Sequence, residues 1–245
     1  MRGIPSCRAT RWNSLAAQRI TLTKLSLTIV VVSYLLGSIP FGYLLVRIFR
    51  GQDVRNTGSG NIGATNVART GSKGLAIATL GLDALKGYVA VAFAFWLAGS
   101  HRFTAADVPA SLYDSSPQMI DSRTIFLLAA VAAFCAILGH MFTVWLRFKG
   151  GKGVATAAGA FVALAPKCLL LSLLLFAIVF ALTRYVSLGS IVAAASFPWF
   201  VLWLNPAERN TAPILLVITA SSALVIMRHK DNIRRLLSGT ENRFH

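Results

Sequence analysis

The chain alternates long apolar blocks with short polar segments, and this alternation predicts its architecture. Two of the blocks, residues 124–146 and 211–227, contain no Asp, Glu, Lys or Arg. The hydrocarbon core of a bilayer requires about 20 apolar residues in a spanning helix. Because lipid offers the backbone no hydrogen-bond partners, such blocks are expected to be helices. The pattern predicts an all-α polytopic membrane protein with about seven transmembrane helices, at about residues 25–47, 74–98, 123–146, 154–165, 167–184, 188–204 and 211–228.

The fourth predicted helix differs from the others in its length. Its twelve residues, 154–165, rise only about 18 Å in an α-helix and are followed by Pro166, which stops the helix. It begins directly after the glycine-rich stretch 150–153. The start of a helix is a favourable position for an anion. We therefore predict a short or displaced helix with an anion site at its beginning.

The composition supports a membrane protein and explains its excess of positive charge. Of the 245 residues, 56% are hydrophobic and 13% are charged, whereas a soluble domain carries about a quarter charged residues. A net charge of +16 would suggest nucleic-acid binding in a soluble protein. In a membrane protein, it follows from basic cytoplasmic loops and their attraction to anionic lipid. We expect membrane lipid as a partner, and no nucleic acid.

Basic residues concentrate after the first, third, fifth and seventh predicted helices, whereas the connection 99–122 contains three aspartates. Basic loops remain in the cytoplasm, so the N-terminus is predicted to lie outside. Residues 1–24 carry five basic residues and no acidic one, and an outside position departs from that rule. We expect a disordered basic arm at 1–24, ahead of an integral-membrane domain at 25–245; a processed targeting segment and an upstream start codon are the alternatives.

The first polar segment (37–69) combines glycines, hydroxyls, amides and arginines. These groups donate hydrogen bonds to phosphate. The spacing Gly58-x-Gly60-x-x-Gly63 matches the dinucleotide fingerprint, but no strand–helix–strand pattern surrounds it, so the match is accidental. The alternative is a glycine-rich turn between membrane helices, with a serine that packs helices. The candidate site residues of this segment are Ser38, Arg55, Ser59, Asn61 and Asn66.

The second polar segment (148–156) places glycines and lysines at the beginning of the short helix. Such a loop can hold an anion, or it can be a flexible anchor. It departs from a Walker loop because Gly153 follows Lys152, and ATP hydrolysis is disfavoured. His140, just before it, is equally compatible with packing and with a ligand role. The candidate substrate-binding residues here are Lys149, Gly150, Gly151, Lys152, Gly153 and Thr156.

The third polar segment (227–241) follows the last predicted membrane helix. His229 and Asn232 are three residues apart and share a helix face, where the imidazole can act as a base or a hydrogen-bond donor. A basic helix that contacts lipid phosphates is the alternative. Glu241 is expected to pair with a nearby arginine. Ser187, after the fifth predicted helix, would be a capping serine if it stood alone.

Several well-known chemistries are absent from the sequence. There is no HxxxxD acyltransferase motif, no G-x-S-x-G elbow and no HExxH zinc helix. The cysteines, Cys7, Cys135 and Cys168, are scattered and lack the spacing of a metal site. Asp83 is expected to pair with Lys86 at i,i+3 and not to belong to a proton relay. We expect no metal and no cofactor.

With these residues in view, the chain resembles the bacterial acyl-phosphate:glycerol-3-phosphate acyltransferases, usually called the PlsY family. The resemblance extends from about residue 25 to 244 and rests on three motifs: GSIPFG with DVRNTGSGNIGATNVART, GHMFTVWLRFKGGKGVAT, and MRHKDNIRRLLSGTENRF. It implies seven membrane helices, an outside N-terminus and a cytoplasmic C-terminus. It further implies a bacterial inner-membrane enzyme of phospholipid biosynthesis that moves a fatty acyl group from acyl-phosphate to the 1-hydroxyl of glycerol-3-phosphate, without metal or cofactor.

The resemblance also assigns roles to the candidate residues. Ser38 and Arg55 match an essential serine and arginine, and His229 with Asn232 match a functional pair. The glycines and Lys152 match a glycerol-3-phosphate loop, Ser187 a site serine, and Glu241 a structural acid. The soluble enzyme that makes acyl-phosphate is implied as a functional neighbour. Two rival interpretations stay open, an anion transporter and a non-enzymatic scaffold for lipid synthesis.

Overall fold

The computed structural model describes residues 7–100, 120–204 and 211–243. The described residues form helices and connecting turns, without strands. This confirms the all-α prediction. The helices, in chain order, are α1 Cys7–Ser38, α2 Phe41–Arg50, α3 Ala64–Ala68, α4 Lys73–Ser100, α5 Ser122–Met141, α6 Val154–Leu164, α7 Pro166–Thr183, α8 Val186–Leu204, α9 Ala212–Met227 and α10 Lys230–Leu237.

Five helical stretches of the described chain are long and apolar enough to cross a membrane. A sixth candidate span is α9 together with α10, which are bent by 55° relative to each other. The short helix between the third and fourth spans is also present, since α6 has 11 residues. The five spans are Leu22–Arg50, Lys73–Ser100, Ser122–Leu146, Pro166–Thr183 and Val186–Leu204.

The first span differs in two ways from the predicted helix at 25–47. It is interrupted between Ser38 and Phe41, because Pro40 has no N–H to donate within a helix. Helix α1 also begins at Cys7, inside the arm that we expected to be disordered. The physical reason is that no glycine or proline occurs from residue 7 to residue 36 to stop the helix. The separation into arm and domain, and the side of the membrane on which the N-terminus lies, stay predictions.

Helix α5 lies at the centre of the bundle and contacts α1, α4, α6 and α9. Its buried residues include five alanines and a glycine, and small residues let the backbones of membrane helices approach closely. Helix α6 is held against α4 by two similar contacts. A Cβ added to Gly159 would lie 1.7 Å from the Ala84 carbonyl oxygen, and one added to Gly87 would lie 2.1 Å from that of Thr156. Because Gly87 and Gly159 have no side chains, the backbones of α4 and α6 can lie in direct contact.

Candidate active site

A cavity of about 460 Å³ forms where the three polar segments meet. Its volume lies within the range of small-molecule sites, about 300–1,000 Å³. Five of the lining residues are basic and one is acidic, so the cavity attracts anions. The lining residues are Ser59, Gly60 and Asn61 from the first segment; Phe148, Lys149, Gly150 and Lys152 from the second; Met227, Arg228, Lys230, Asp231, Asn232 and Arg235 from the third; and Phe142 and Leu224.

Asn66 organises the loop that carries Ser59 and Asn61. Its side chain is 2% exposed, and its Nδ2 donates to the carbonyl oxygens of Val54, Thr57 and Asn61 at 2.7–2.9 Å. Its Oδ1 accepts from the backbone N–H of Ser59 at 2.9 Å. The amide is occupied within the loop in this structure, and a direct substrate-binding role of Asn66 stays a prediction. Its effect is to hold Ser59 and Asn61 at the cavity wall.

Arg55 lies in the same loop but does not line the cavity. Its Nη2 and Nε donate to the Asp53 carboxylate at 2.6 and 3.0 Å, and the guanidinium lies 5.1 Å from the centroid of the Tyr43 ring. The hydrogen bond from Arg55 lowers the pKa of Asp53, and the same bond raises the pKa of Arg55. In this structure Arg55 stabilises the turn that leads to Ser59.

Ser38 lies at the interruption between α1 and α2, away from the cavity lining. The residue is buried, and its carbonyl oxygen accepts a hydrogen bond from the Thr143 hydroxyl. Among the described residues its own hydroxyl has no hydrogen-bond partner. A Cβ added to Gly139 would lie 3.1 Å from that hydroxyl oxygen. Ser38 therefore joins α1 to the residues that follow α5, and it is not among the residues that line the cavity.

The glycines of the second segment are required by close packing. Gly150 and Gly151 donate their N–H groups to the carbonyl oxygens of Met141 and His140 at 3.1 and 3.0 Å. A Cβ on Gly150 would lie 2.1 Å from the His140 carbonyl oxygen. Gly153 precedes α6 with φ +82°, a conformation that favours glycine. The carbonyl oxygens at the end of α5 accept the hydrogen bonds of both amides in this structure, and binding of an anion by Gly150 and Gly151 stays a prediction.

Thr156 also lies inside the fold. It is fully buried, and its backbone carbonyl packs against Gly87 at the α4–α6 contact. It does not line the cavity. The first turn of α6 places Thr156 in the helix bundle, and its substrate-binding role stays a prediction.

Lys152 is a basic residue of the second segment that contacts the third segment. Its Nζ donates to Asn232 Oδ1 at 2.6 Å. Burial lowers the pKa of Lys152 to about 8, and repulsion from Arg235 and Arg69 acts in the same direction. The ammonium is therefore mostly charged at neutral pH. Among the described residues its hydrogen-bond partner is a neutral amide, and the carboxylate of Glu241 acts on it from behind that amide, so an anion entering the cavity would gain a direct contact with a positive charge.

Glu241 fixes the orientation of Asn232 from behind. Its Oε1 accepts from Asn232 Nδ2 at 2.6 Å and from the Ser187 hydroxyl at 2.7 Å, and its Oε2 accepts from Arg235 Nε at 2.7 Å. Partial burial acts to raise the pKa of Glu241, but these hydrogen bonds outweigh it and lower the pKa. The expected pairing of Glu241 with an arginine is confirmed. Ser187 donates to Glu241 and does not line the cavity, and its substrate-binding role stays a prediction.

His229 immediately precedes α10 and is 2% exposed. Its Nδ1 lies 2.8 Å from the Val225 carbonyl oxygen. Because a carbonyl only accepts, Nδ1 carries the proton and Nε2 is left as an acceptor. Burial lowers the pKa of His229 to about 4, so the imidazole is neutral at physiological pH. His229 does not belong to the cavity lining, although Asn232 does.

Arg228 is the functional candidate that sequence reasoning missed. It lines the cavity, and its Nε and Nη2 donate to the carbonyl oxygens of Gly151 and Gly150, each at 3.3 Å. Its guanidinium lies 5.4 Å from the centroid of the Phe142 ring. In the sequence it is one of several neighbouring basic residues and looks like a lipid contact. Only the packing of α9 against α5 brings it to the second segment.

Comparison with known proteins agrees with this site. The family model described as glycerol-3-phosphate acyltransferase matches residues 27–239. The glycerol-3-phosphate acyltransferase of Geobacter sulfurreducens is 46% identical over 219 residues, which cover 89% of this chain and 97% of the relative. That of Rhodopseudomonas palustris is 44% identical over 214 residues, 87% of this chain and 93% of the relative.

Solved structures show the same similarity. The crystal structure of PlsY (YgiH), an integral membrane glycerol 3-phosphate acyltransferase, superimposes in its glycerol 3-phosphate form with a TM-score of 0.73 at 36% identity. The match covers 90% of this chain and 96% of that one. The lysophosphatidic acid form of PlsY superimposes with a TM-score of 0.71 at 34% identity. From its sequence and its three-dimensional structure alike, the chain belongs to the glycerol-3-phosphate acyltransferase family.

Proposed function

We propose that this glycerol-3-phosphate acyltransferase uses acyl-phosphate as its donor, and that it releases lysophosphatidic acid and inorganic phosphate. The observation that carries the proposal is the cavity itself, with five basic residues and one acidic residue around about 460 Å³. Both substrates carry a phosphate group, so an excess of positive charge suits a site that holds the two together. In a thioester donor, the reactive carbonyl carbon is bonded to sulfur and not to phosphate. Such a donor would bring no phosphate group to the reacting carbon in this cavity.

In the proposal, the phosphate of glycerol-3-phosphate binds to Lys152, with Lys149 and Arg228 as its neighbours. The support is that Lys152 has a neutral partner, the Asn232 amide, and that all three cations line one cavity. Ser59 and Asn61 lie across it and supply hydrogen-bonding groups for the glycerol hydroxyls. Ser38 and Arg55 enter the proposal through the family resemblance and not through the cavity lining.

The reaction requires little covalent help from the protein. The 1-hydroxyl oxygen attacks the acyl carbonyl carbon, and an ester bond forms. The bond between that carbon and the phosphate oxygen breaks, and its electron pair leaves with the phosphate. Because acyl-phosphate is an activated mixed anhydride, the enzyme supplies mainly proximity and stabilisation of negative charge. The cations that line the cavity provide that stabilisation.

The hydroxyl proton has two candidate acceptors, His229 and an oxygen of a substrate phosphate. Burial lowers the pKa of His229 to about 4, which makes its imidazole a weak base at neutral pH. This favours the phosphate oxygen as the acceptor. Neutral His229, with its Nδ1 proton directed to Val225, then keeps Nε2 as a hydrogen-bond acceptor.

The proposal places the site on the cytoplasmic side of the bacterial inner membrane, with the acyl chain in lipid. The basic connections of the sequence support this orientation. Glycerol-3-phosphate is a polar metabolite that enters from the cytosol, whereas the donor reaches the cavity from the membrane. The soluble enzyme that produces acyl-phosphate is the proposed functional neighbour.

The donor is tested with the purified chain, radiolabelled glycerol-3-phosphate and one of two donors, palmitoyl-phosphate or palmitoyl-CoA. Radiolabelled lysophosphatidic acid formed only with palmitoyl-phosphate, together with one equivalent of inorganic phosphate, is the expected result. Product formed only with palmitoyl-CoA would overturn the assignment of the donor. Absence of product with both donors would favour the transporter or the scaffold.

A further inference from the structure

A buried ionic cluster lies in the helix bundle next to the cavity. It consists of Asp83 and Lys86 on α4 and His140 on α5, which are 2%, 4% and 3% exposed. The predicted pairing is confirmed, because Lys86 Nζ lies 2.8 Å from Asp83 Oδ1. Ionisable residues inside a membrane bundle are costly and are commonly functional. A buried ion pair often contributes no more stability than apolar residues of similar volume, so stability alone does not account for this cluster.

On one side, the cluster contacts the break between α1 and α2 in the first span. Lys86 Nζ donates to the Ile39 carbonyl oxygen at 2.8 Å, and it lies 5.8 Å from the centroid of the Phe41 ring. Pro40 cannot donate a hydrogen bond, so carbonyl oxygens near it require other partners. Lys86 satisfies one of them and thereby connects α4 to the beginning of the first polar segment.

On the other side the cluster reaches the second polar segment. His140 Nδ1 lies 3.5 Å from Asp83 Oδ1. The opposite edge of the same ring packs against Gly151, since a Cβ added there would lie 2.0 Å from His140 Nε2. The backbones of the same two residues are also in contact, because the Gly151 N–H donates to the His140 carbonyl oxygen at 3.0 Å. The His140 ring therefore lies between the Asp83 carboxylate and the glycine next to Lys152, although Asp83 Oδ1 and His140 Nδ1 do not form a hydrogen bond at this distance.

We propose that Asp83, Lys86 and His140 are positioning residues, which hold residues 150–152 so that Lys152 meets the phosphate of glycerol-3-phosphate. This inference rests on the proposed role of the cavity. None of the three residues lines it, so their effect passes through the loop. If the loop shifts, Lys152 loses part of its charge-assisted contact with that phosphate, and glycerol-3-phosphate binds more weakly. The cluster should thus affect the use of glycerol-3-phosphate and leave the use of the acyl donor unchanged.

The test compares His140→Leu with His140→Asn in the purified full chain, with palmitoyl-phosphate as the donor. Leucine cannot contact the Asp83 carboxylate, whereas the asparagine amide nitrogen can replace Nδ1. We expect His140→Leu to raise the KM for glycerol-3-phosphate at least about tenfold, a loss of about 1.4 kcal/mol. The KM for palmitoyl-phosphate and kcat should change less than about threefold. His140→Asn should restore most of the KM.

Three results would overturn the inference: an unchanged KM in His140→Leu, an equal loss in His140→Asn, or a parallel fall of kcat, both KM values and thermal stability. If His140→Leu does not fold, the double variant Asp83→Leu/Lys86→Leu decides the matter. That variant removes the buried charges together and should fold. An increased KM for glycerol-3-phosphate in this variant supports the inference, and a wild-type KM refutes it.

Lys152→Ala, assayed in parallel, separates this inference from the proposed function. If Lys152→Ala keeps a normal KM for glycerol-3-phosphate, the assignment of the cavity fails, and the inference fails with it. If Lys152→Ala raises that KM and His140→Leu does not, the cavity assignment stands. In that case only the positioning role of the cluster is refuted.

Discussion

Two polar networks contact the second polar segment from opposite sides. They differ in whether the lysine of the network is available to bind an anion. In the cavity, Lys152 donates to the neutral amide of Asn232, which Glu241 orients. In the helix bundle, Lys86 contacts the Asp83 carboxylate and the Ile39 carbonyl oxygen. The first network presents to a cavity a cation whose direct partner is neutral and whose compensating carboxylate, that of Glu241, lies behind this partner. The second is enclosed and already neutralised by Asp83.

This difference separates residues that bind substrate from residues that position them. An ammonium paired with a carboxylate gains less from an incoming phosphate than an ammonium paired with an amide. Lys152 is therefore suited to exchange its contact when a phosphate arrives, whereas Lys86 is suited to remain in place. Variants in the first network should alter substrate binding strongly, and variants in the second should alter it through geometry.

The largest expected effect is that of Lys152→Ala. Removal of this cation should lower kcat/KM for glycerol-3-phosphate by roughly a hundredfold to a thousandfold, since such electrostatic contacts are worth several kcal/mol. Steady-state kinetics with palmitoyl-phosphate measure the change. Lys167→Ala is the matched control, because Lys167 is exposed and does not line the cavity. Wild-type kinetics in Lys152→Ala would show that Lys152 does not bind the phosphate, and would contradict the difference drawn between the two networks.

The next largest effect is expected for Arg55→Ala, which tests a cation outside both networks. Its loss should reduce kcat by roughly a hundredfold, because the turn held by Arg55 and Asp53 leads to Ser59. Arg55→Lys retains the charge but not the paired contacts of Nε and Nη2. Equal losses in both variants would indicate that geometry matters, and wild-type-like activity in Arg55→Ala would refute a role for Arg55.

The next effect is a dependence of kcat/KM on pH, which we expect from the ionisation of the Lys152 ammonium. Burial lowers the pKa of Lys152 to about 8, so the charged form that binds phosphate predominates below pH 8 and is lost above it. The value of kcat/KM reports ionisations of the free enzyme. It should fall about tenfold per pH unit above that pKa. Lys152→Arg remains charged and should lack this decline; identical profiles would contradict the assignment.

The smallest expected effect is that of Arg228→Lys. Lysine keeps a positive charge at the cavity but cannot contact the carbonyl oxygens of Gly150 and Gly151 together as Arg228 does. These contacts are long, at 3.3 Å, so we expect the KM for glycerol-3-phosphate to rise only about threefold. A loss as large as that of Lys152→Ala would instead make Arg228 a principal phosphate ligand.

Local features of the fold and site could be predicted from the sequence, and long-range ones could not. The short helix α6 follows from its length and Pro166, and the Asp83–Lys86 pair follows from i,i+3 spacing. The occupied amides of Gly150 and Gly151 depend on where α5 ends. The contact of Arg228 with those glycines joins residues more than seventy positions apart. Tertiary packing decides such contacts, and local patterns do not encode them.

The roles of amides were the hardest to predict, as Asn66 and Asn232 illustrate. Both lie in polar segments beside charged or hydroxylic residues. Asn66 is enclosed by backbone groups of its own loop, whereas Asn232 bridges Lys152 and Glu241. An amide offers the same donors and acceptors in both places. Its role is decided by which groups the fold brings to it.

The most direct test of the central claim is an experimental structure of the chain with glycerol-3-phosphate bound. The claim is that the three polar segments form one anion site around Lys152. The account predicts the phosphate within hydrogen-bond distance of Lys152 Nζ, between residues of the second and third segments. A phosphate bound elsewhere, with Lys152 still donating to Asn232, would contradict it.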